Sequence, residues 1–225
     1  MPTHQAKRQA PHAIRAVMLH KPAGCISTRP RPDAPTRPSV YDHLPQGWDH
    51  DGQRLGHCGR LDRDTTGLLL FTDDGLLSQA LLNPGFTHEE LPTPTLHIRK
   101  TYHLAIQGEV SDAQLEELQT PISIGTHRSR GAVITQPAQV KRIHNPDEPG
   151  TWLECILTDG KNRQIRRLCT RSQLELTTLR RVAFGPLTLG KLSCGSARIL
   201  SQSEIDACYA HALPGLKPPQ QVMLD

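Results

Sequence analysis

Aromatic residues are scarce in this 225-residue chain: Phe, Tyr and Trp together make up 4% of it. With 36% hydrophobic residues in all, the core must be filled mainly by Leu, Ile, Val and Ala. No apolar run approaches the roughly 20 residues that a membrane-spanning helix needs, which excludes a helical membrane protein. Met1 to Pro11 carries Lys7 and Arg8 but lacks the apolar stretch of a secretion signal. Residues 1–12 are therefore expected to be a disordered basic tail. No internal repeat and no low-complexity block is present. The six cysteines include no C-x-x-C pair, and a chain of this size has no need of disulfide staples. They are read as reduced, mostly buried thiols in a cytoplasmic protein. His57 and Cys58 have no second pair to complete a zinc site, so no metal is expected.

Charge of neither sign is in large excess. The formal net charge of +4 and the pI near 8.8 suit a polyanionic partner and an ordinary soluble protein equally well. Two Pro-rich stretches punctuate the chain, Arg29 to Pro38 as a surface loop and Leu213 to Pro219 as the start of a C-terminal tail over 213–225. Between the tails, residues 13–212 read as one domain.

The apolar stretch Ala13 to His20 predicts a strand, turned by Lys21-Pro22-Ala23-Gly24. Leu68 to Thr72 is apolar throughout, which predicts a strand covered on both faces. Asp74 caps a short helix to Leu82, ended by Asn83-Pro84-Gly85. Lys100 to Val110 alternates, with Tyr102, Leu104 and Ile106 on one face. Ser111 to Gln114 is a capping box opening a helix with Leu115 and Leu118 inward. Trp152 to Thr158 is a further strand. After the turn Asp159-Gly160, Asn162 is expected to cap a helix over Arg163 to Arg171, on which Ile165, Leu168 and Cys169 share a face. Strands near Thr177 to Val182 and Ala197 to Leu200 and a helix around Ser203 to His211 complete the pattern. The expected fold class is α+β, with a mixed, mainly antiparallel sheet flanked by helices.

Three groups of residues carry possible chemistry. In Gly59-Arg60-Leu61-Asp62-Arg63-Asp64-Thr65-Thr66 an aspartate stands between two arginines and leads into the apolar strand. In an extended segment Arg60 and Asp62 point to the same side. A neighbouring guanidinium favours the ionised form of a carboxylate, which a nucleophile requires. A salt bridge that merely pins the loop explains an isolated R-L-D as well. Asp62-x-Asp64-x-Thr66 also matches the D-x-D-x-T of aspartyl-phosphate phosphotransferases. That chemistry needs a buried strand before the first Asp, and here the apolar run follows it. The second group is Lys161-Asn162-Arg163-Gln164-Ile165-Arg166-Arg167, with four cationic residues in seven. Such a turn repels itself unless anions lie near, either RNA phosphate or a buried Asp. Because Ile165 needs burial, at least one arginine beside it is expected to point inward. The third is Lys100-Thr101-Tyr102, where Tyr102 is either a core aromatic or a platform on which a base stacks.

Taken in order along the chain, these pieces resemble the RsuA family of RNA pseudouridine synthases. Leu19 to Gly24 resembles the family's N-K-P-x-G turn, and Gly59 to Gly75 its catalytic signature. Lys100-Thr101-Tyr102 resembles K-x-Y, Asp159 to Arg167 resembles E-G-x-N-R-Q-I-R-R, and Leu179 to Gly185 the closing L-x-R-x-x-x-G. The resemblance implies the pseudouridine synthase fold and isomerisation of uridine to pseudouridine in ribosomal RNA. It implies Asp62 as the essential nucleophile, Arg166 as its salt-bridge partner and Tyr102 stacked on the target uracil. Arg60 would fill the gap left by the flipped-out nucleotide. Lys21, Arg63, Lys161, Asn162, Arg163, Arg167 and Arg181 would meet the RNA, with Arg171 and Arg180 as further phosphate contacts. No metal or cofactor is implied. With the first strand near Ala13, the small RNA-binding module that precedes the catalytic domain in many relatives is expected to be missing. The chain then resembles the compact, RluE-like subgroup acting on large-subunit 23S rRNA. The expected partner is ribosomal RNA, free or in an assembling large subunit, met by a monomer in the cytoplasm. His20 stands where the family has Asn, and Asp159 where it has Glu. A non-catalytic RNA-binding or ribosome-assembly protein of the same fold is the alternative from another class.

Overall fold

Alternation in two paired strands sets the architecture. Strand β1 (Ala16–Lys21) runs antiparallel to β3 (Thr66–Thr72), with Leu19 opposite Leu69 and Met18 opposite Leu70. Side chains of a strand alternate between faces. Val17, Leu19, Leu69 and Phe71 therefore enter one core, while Ala16, Met18, Leu68 and Leu70 enter a second core on the other face. Full burial of such side chains stabilises by about 1.5–3 kcal/mol each, so a sheet apolar on both faces must be covered twice. The helices do this: α1 and α4 close the second core, and α2 and α3 the first.

The computed structural model describes residues 15–29, 37–45, 47, 55–89, 91, 94–127, 131–145 and 148–218. The expected N-terminal tail, most of the first Pro-rich stretch and residues 219–225 lie outside the described residues. Along the chain follow a 3-10 turn (Val40–His43), β2 (Gly56–Cys58), β3, α1 (Gly75–Leu82), β4 (Lys100–Ile106) and α2 (Asp112–Gln119). Next come β5 (Ser123–His127), β6 (Gly131–Ile134), β7 (Gln139–Ile143), β8 (Thr151–Leu157) and α3 (Gln164–Arg171). The chain continues with β9 (Leu176–Phe184), β10 (Leu187–Thr188), β11 (Ala197–Ile199) and α4 (Gln202–Ala212). The main sheet has the order β11-β1-β3-β9-β4-β8-β7, with β2 added to β3 and β10 to β9; β5 and β6 form a separate hairpin. Among the described residues β3–β9 is the one parallel pairing between strands of the main sheet. The expected α+β class with a mixed, mainly antiparallel sheet is what the chain adopts.

Local chemistry explains the helix starts. Asp74 accepts from the N–H groups of Leu76 and Leu77 at 2.9 and 3.1 Å, as a cap should. Ser111 with Gln114, and Ser201 with Glu204, are capping boxes opening α2 and α4. The last helix thus begins one residue before the expected Ser203, because Ser201 rather than a later residue supplies the cap. The packed chain also runs past the boundary expected at residue 212: Leu213 is fully buried in the second core, and Leu216 packs on it. Five of the six cysteines are buried and all are free thiols, with Cys194 exposed.

Strands β2, β5, β6, β7 and β10 carry no signal that the sequence reading picked out. β2 is three residues long and opens on Gly56; β10 has two residues. Each is held by a longer neighbour rather than by its own pattern.

At the parallel pairing, Gly67 lies opposite Arg181 with φ of 106°. A β-carbon placed there would come within 2.6 Å of the Arg181 backbone nitrogen. Only glycine permits that approach. It brings the start of β3, and the loop before it, against the middle of β9.

Candidate active site

The loop between β2 and β3 carries Asp62 and is tied down almost wholly through its backbone. Thr65 N–H donates to the Asp62 carbonyl at 3.0 Å, closing a tight turn. Gly24 N–H donates to the Arg63 carbonyl at 2.9 Å, and Ser27 Oγ to the Leu61 carbonyl at 2.8 Å. Lys21 is fully buried beneath this turn. Its Nζ donates to the carbonyls of Pro22, Arg63 and Thr65 at 3.0, 3.0 and 2.9 Å. Burial pushes its amine below the usual lysine value, with the nearby Cys25, Asp64 and Asp62 opposing that shift. Lys21, expected to meet the RNA, has no exposed surface and anchors the loop.

Asp62 meets cations, but not those beside it in sequence. Its Oδ2 lies 3.7 Å from Arg166 Nε and 3.6 Å from Arg163 Nη1, both delivered by the start of α3. Arg60 is exposed, and Arg63 pairs weakly with Asp64 at 3.7 Å on the surface. The expected inward arginine is Arg166, whose Nη2 also donates to the Asp64 carbonyl at 3.1 Å. At 3.6–3.7 Å these pairs are electrostatic rather than hydrogen bonds. The carboxylate oxygens therefore keep lone pairs for a substrate. Asp64 points away, and among the described residues no group of His, Cys, Asp or Glu could hold a metal ion.

The cap of α3 departs from expectation. Arg163, not Asn162, occupies the cap position, in the left-handed region with φ of 51° and ψ of 32°, and makes no side-chain cap hydrogen bond. Such a conformation costs a non-glycine residue of order 1–3 kcal/mol and must be held by its surroundings. It is what swings Arg163 toward Asp62. Asn162 Oδ1 instead accepts from Arg167 Nη2 at 3.4 Å.

Asp62 opens onto a cavity of about 190 Å³, well above the ~10–15 Å³ that admits a single water. Tyr102 of β4, Leu157 of β8, and Leu179 and Phe184 of β9 form its apolar wall, with Ile165 from α3. Tyr102 is 8% exposed: its ring is packed in the first core and also lines the cavity. Lys100, Gln164 and Arg181 line the same cavity. Burial, with the Arg181 guanidinium near, lowers the Lys100 amine to about 8. Lys100 entered the sequence reading only as part of K-x-Y, and Gln164 only as part of its motif. The signal that could have found them is their shared approach to the Asp62 loop, which no spacing reveals.

The residues expected to meet the RNA divide into two sets. Arg60, Arg63, Lys161, Asn162, Arg163 and Arg167 are exposed around the cavity mouth or the start of α3. Arg167 is partly spent, donating to the Ile124 carbonyl at 2.9 Å and so holding the β5–β6 hairpin. Arg181, also expected to meet the RNA, is 2% exposed, and its Nε donates to the Leu68 carbonyl at 2.7 Å; it lines the cavity and not the outer surface. Arg171 closes the end of α2 through the carbonyls of Glu117, Thr120 and Pro121, and Arg180 pairs with Glu148 at 3.0 Å. Neither is a free surface cation. The two departures from the family pattern sit behind the site: His20 Nδ1 contacts the Leu192 carbonyl at 2.7 Å, and Asp159 Oδ2 accepts from Gln136 N–H at 2.9 Å.

Residues 15–171 match the RNA pseudouridylate synthase family. The chain is 31% identical over 217 residues to the ribosomal large subunit pseudouridine synthase B of Pseudomonas aeruginosa, covering 94% of this chain and 50% of that protein. It is 32% identical over 220 residues to the enzyme of the same name from Salmonella typhimurium, covering 95% and 65%. The chain thus spans about half to two thirds of the length of these relatives. A crystal structure of a pseudouridylate synthase shares the fold with a TM-score of 0.68 and 26% identity, over 87% of this chain and 74% of that one.

Proposed function

The chain belongs to the RNA pseudouridylate synthase family, and from that premise we propose that it isomerises uridine to pseudouridine in large-subunit ribosomal RNA. One observation carries the reading: Asp62, paired with Arg166 at 3.7 Å, lines a cavity that Tyr102 also walls. In this reaction the bond between ribose C1′ and N1 breaks, the base turns, and C1′ bonds to C5. The C5 proton leaves and N1 gains one, so atoms and electrons balance without a cofactor. The reacting sugar cannot be reached inside a stacked helix, so the nucleotide must flip out.

Asp62 is the group that acts on the sugar. Arg166 and Arg163 balance its charge and hold its direction, while the Lys21 anchor and the Thr65 turn fix the backbone beneath it. The Tyr102 ring stacks on the base and, with Leu157 and Leu179, excludes the water that would hydrolyse the severed glycoside. Arg60, exposed at the mouth, fills the gap left in the RNA. Arg63, Lys161 and Arg163 meet phosphates around it. The RluE-like subgroup, a monomer in the cytoplasm, and rRNA free or in an assembling subunit complete the proposal.

The test is pseudouridine mapping in rRNA from cells with and without the gene, and after replacement by Asp62→Asn. One site or more should be lost in both the deletion and the variant. Persistence of every pseudouridine in the D62N strain sinks the assignment, and a protein that binds rRNA without turnover would leave the same trace.

A further inference from the structure

The buried part of the cavity wall presents hydrogen-bond donors that the protein does not use. Gln164 and Arg181 are each 2% exposed, yet Gln164 Nε2 and Arg181 Nη2 have no acceptor among the described residues. The orientation of the Gln164 amide is fixed, because its Oε1 accepts from the Lys161 N–H at 3.1 Å and a reversed amide would set donor against donor. Lys100 Nζ has one long contact, 3.4 Å to the Ile98 carbonyl. Lys100 Nζ and Arg181 Cζ lie 5.9 and 5.0 Å from the centre of the same Phe184 ring, so the two cations converge there. Asp159 Oδ1 is a buried acceptor without a hydrogen-bond partner among the described residues; its charge acts on Lys100, but Asp159 does not line the cavity.

Buried donors without acceptors cost stability and persist where a ligand supplies the acceptors. The cavity walls beside them are apolar, formed by Tyr102, Leu157, Leu179 and Phe184, which suits a flat ring. A free anion would share the cavity with the Asp62 carboxylate and be repelled by it.

We propose that Lys100, Gln164 and Arg181 are specificity-determining residues that form a donor wall, accepting a pyrimidine with two ring carbonyls and rejecting one with a 4-amino group. This rests on the uridine reading above. Uracil offers O2 and O4 as acceptors to the wall. Cytosine would set its amino group against donors that cannot turn into acceptors, and one such mismatch is worth tenfold or more in affinity.

The experiment compares short oligouridylate and oligocytidylate of equal length binding to the full chain. The two share their backbone charge, so the difference in Kd reports the base. The wild type should favour oligouridylate by about tenfold or more. Gln164→Glu keeps an oxygen that accepts from Lys161 N–H and removes the donor while adding a charge, so the preference should collapse toward unity, read beside a cooperative melting transition that shows the variant folded. Lys100→Met, which keeps the aliphatic stem, should also reduce it. Inorganic phosphate should not displace oligouridylate beyond what equal ionic strength does. Equal wild-type affinities, an unchanged preference in both variants, or specific displacement by phosphate each overturns the proposal. Pseudouridine formation is scored separately. A chain that prefers oligouridylate but forms no pseudouridine keeps the donor wall and loses the enzyme reading.

Discussion

Arg166 holds two positions of one loop at once: its Nε stands 3.7 Å from the Asp62 carboxylate, and its Nη2 donates to the Asp64 carbonyl at 3.1 Å. The guanidinium therefore fixes where the carboxylate sits as well as balancing its charge. A single ammonium cannot serve both contacts, because it lacks the planar fork.

Arg166→Lys should consequently lower kcat by about 10²-fold or more with little change in KM, since a displaced charge is felt mainly in the transition state. Single-turnover pseudouridine formation, read beside the melting temperature, checks this. A variant with wild-type kcat would mean that the fork is dispensable.

Lys21→Met should destabilise the protein and misplace the Asp62 loop together. Three backbone carbonyls lose their shared donor, and leaving buried acceptors unpaired costs about 1–3 kcal/mol each before relaxation. A net loss of about 2–4 kcal/mol is expected in urea denaturation. If stability falls by less than ~1 kcal/mol, the buried amine is not the anchor described.

Gly67→Ala tests the contact between β3 and β9. The φ of 106° and the 2.6 Å approach to the Arg181 nitrogen leave no room for a methyl group. The parallel pair would have to separate, at a cost of more than about 3 kcal/mol, with loss of activity because the loop before β3 moves with it. An alanine variant that melts within a few degrees of the wild type would contradict the close approach.

Lys100 gives a pH dependence of defined sign. Burial lowers its amine from 10.5 to about 8. Between those values the unfolded chain binds more protons than the native one, so this group makes stability rise with pH across that window. Below about 8 the burial cost of the charged amine is present in full. Lys100→Met should flatten the rise, seen as the difference between wild-type and variant denaturation midpoints from pH 8 to 10.5. Oligouridylate affinity should fall in the wild type as pH passes about 8 and stay level in the variant, measured by titration at fixed ionic strength.

Much of the fold was legible because its signals are local. Asp74, Ser111 and the Leu68–Thr72 run specify a cap, a capping box and a strand buried on both faces from a few adjacent residues. The α3 cap was misread because Asn162 looks like a better cap than Arg163. What decides the matter is the pull of Asp62 on Arg163 and of Arg167 on Asn162, both long-range or beyond the capping turn. The burial of Lys21 and Arg181 was illegible for the same kind of reason. A lysine or arginine is normally exposed, and only the carbonyls of Pro22, Arg63, Thr65 and Leu68 make their burial possible.

The sequence alone placed Asp62, Tyr102 and Arg166 in an ordered set of motifs that resembles one family, because residue types and their order along the chain are sufficient for a resemblance. It also determined a sheet that needs helices on both faces, because the apolar pattern of Leu68 to Thr72 leaves no other way to bury it. The tertiary structure decided which cations face Asp62, which are spent on carbonyls, and which line the cavity. Those outcomes depend on the β3–β9 contact at Gly67 and on the left-handed start of α3, where segments far apart in the chain meet at distances that spacing cannot encode.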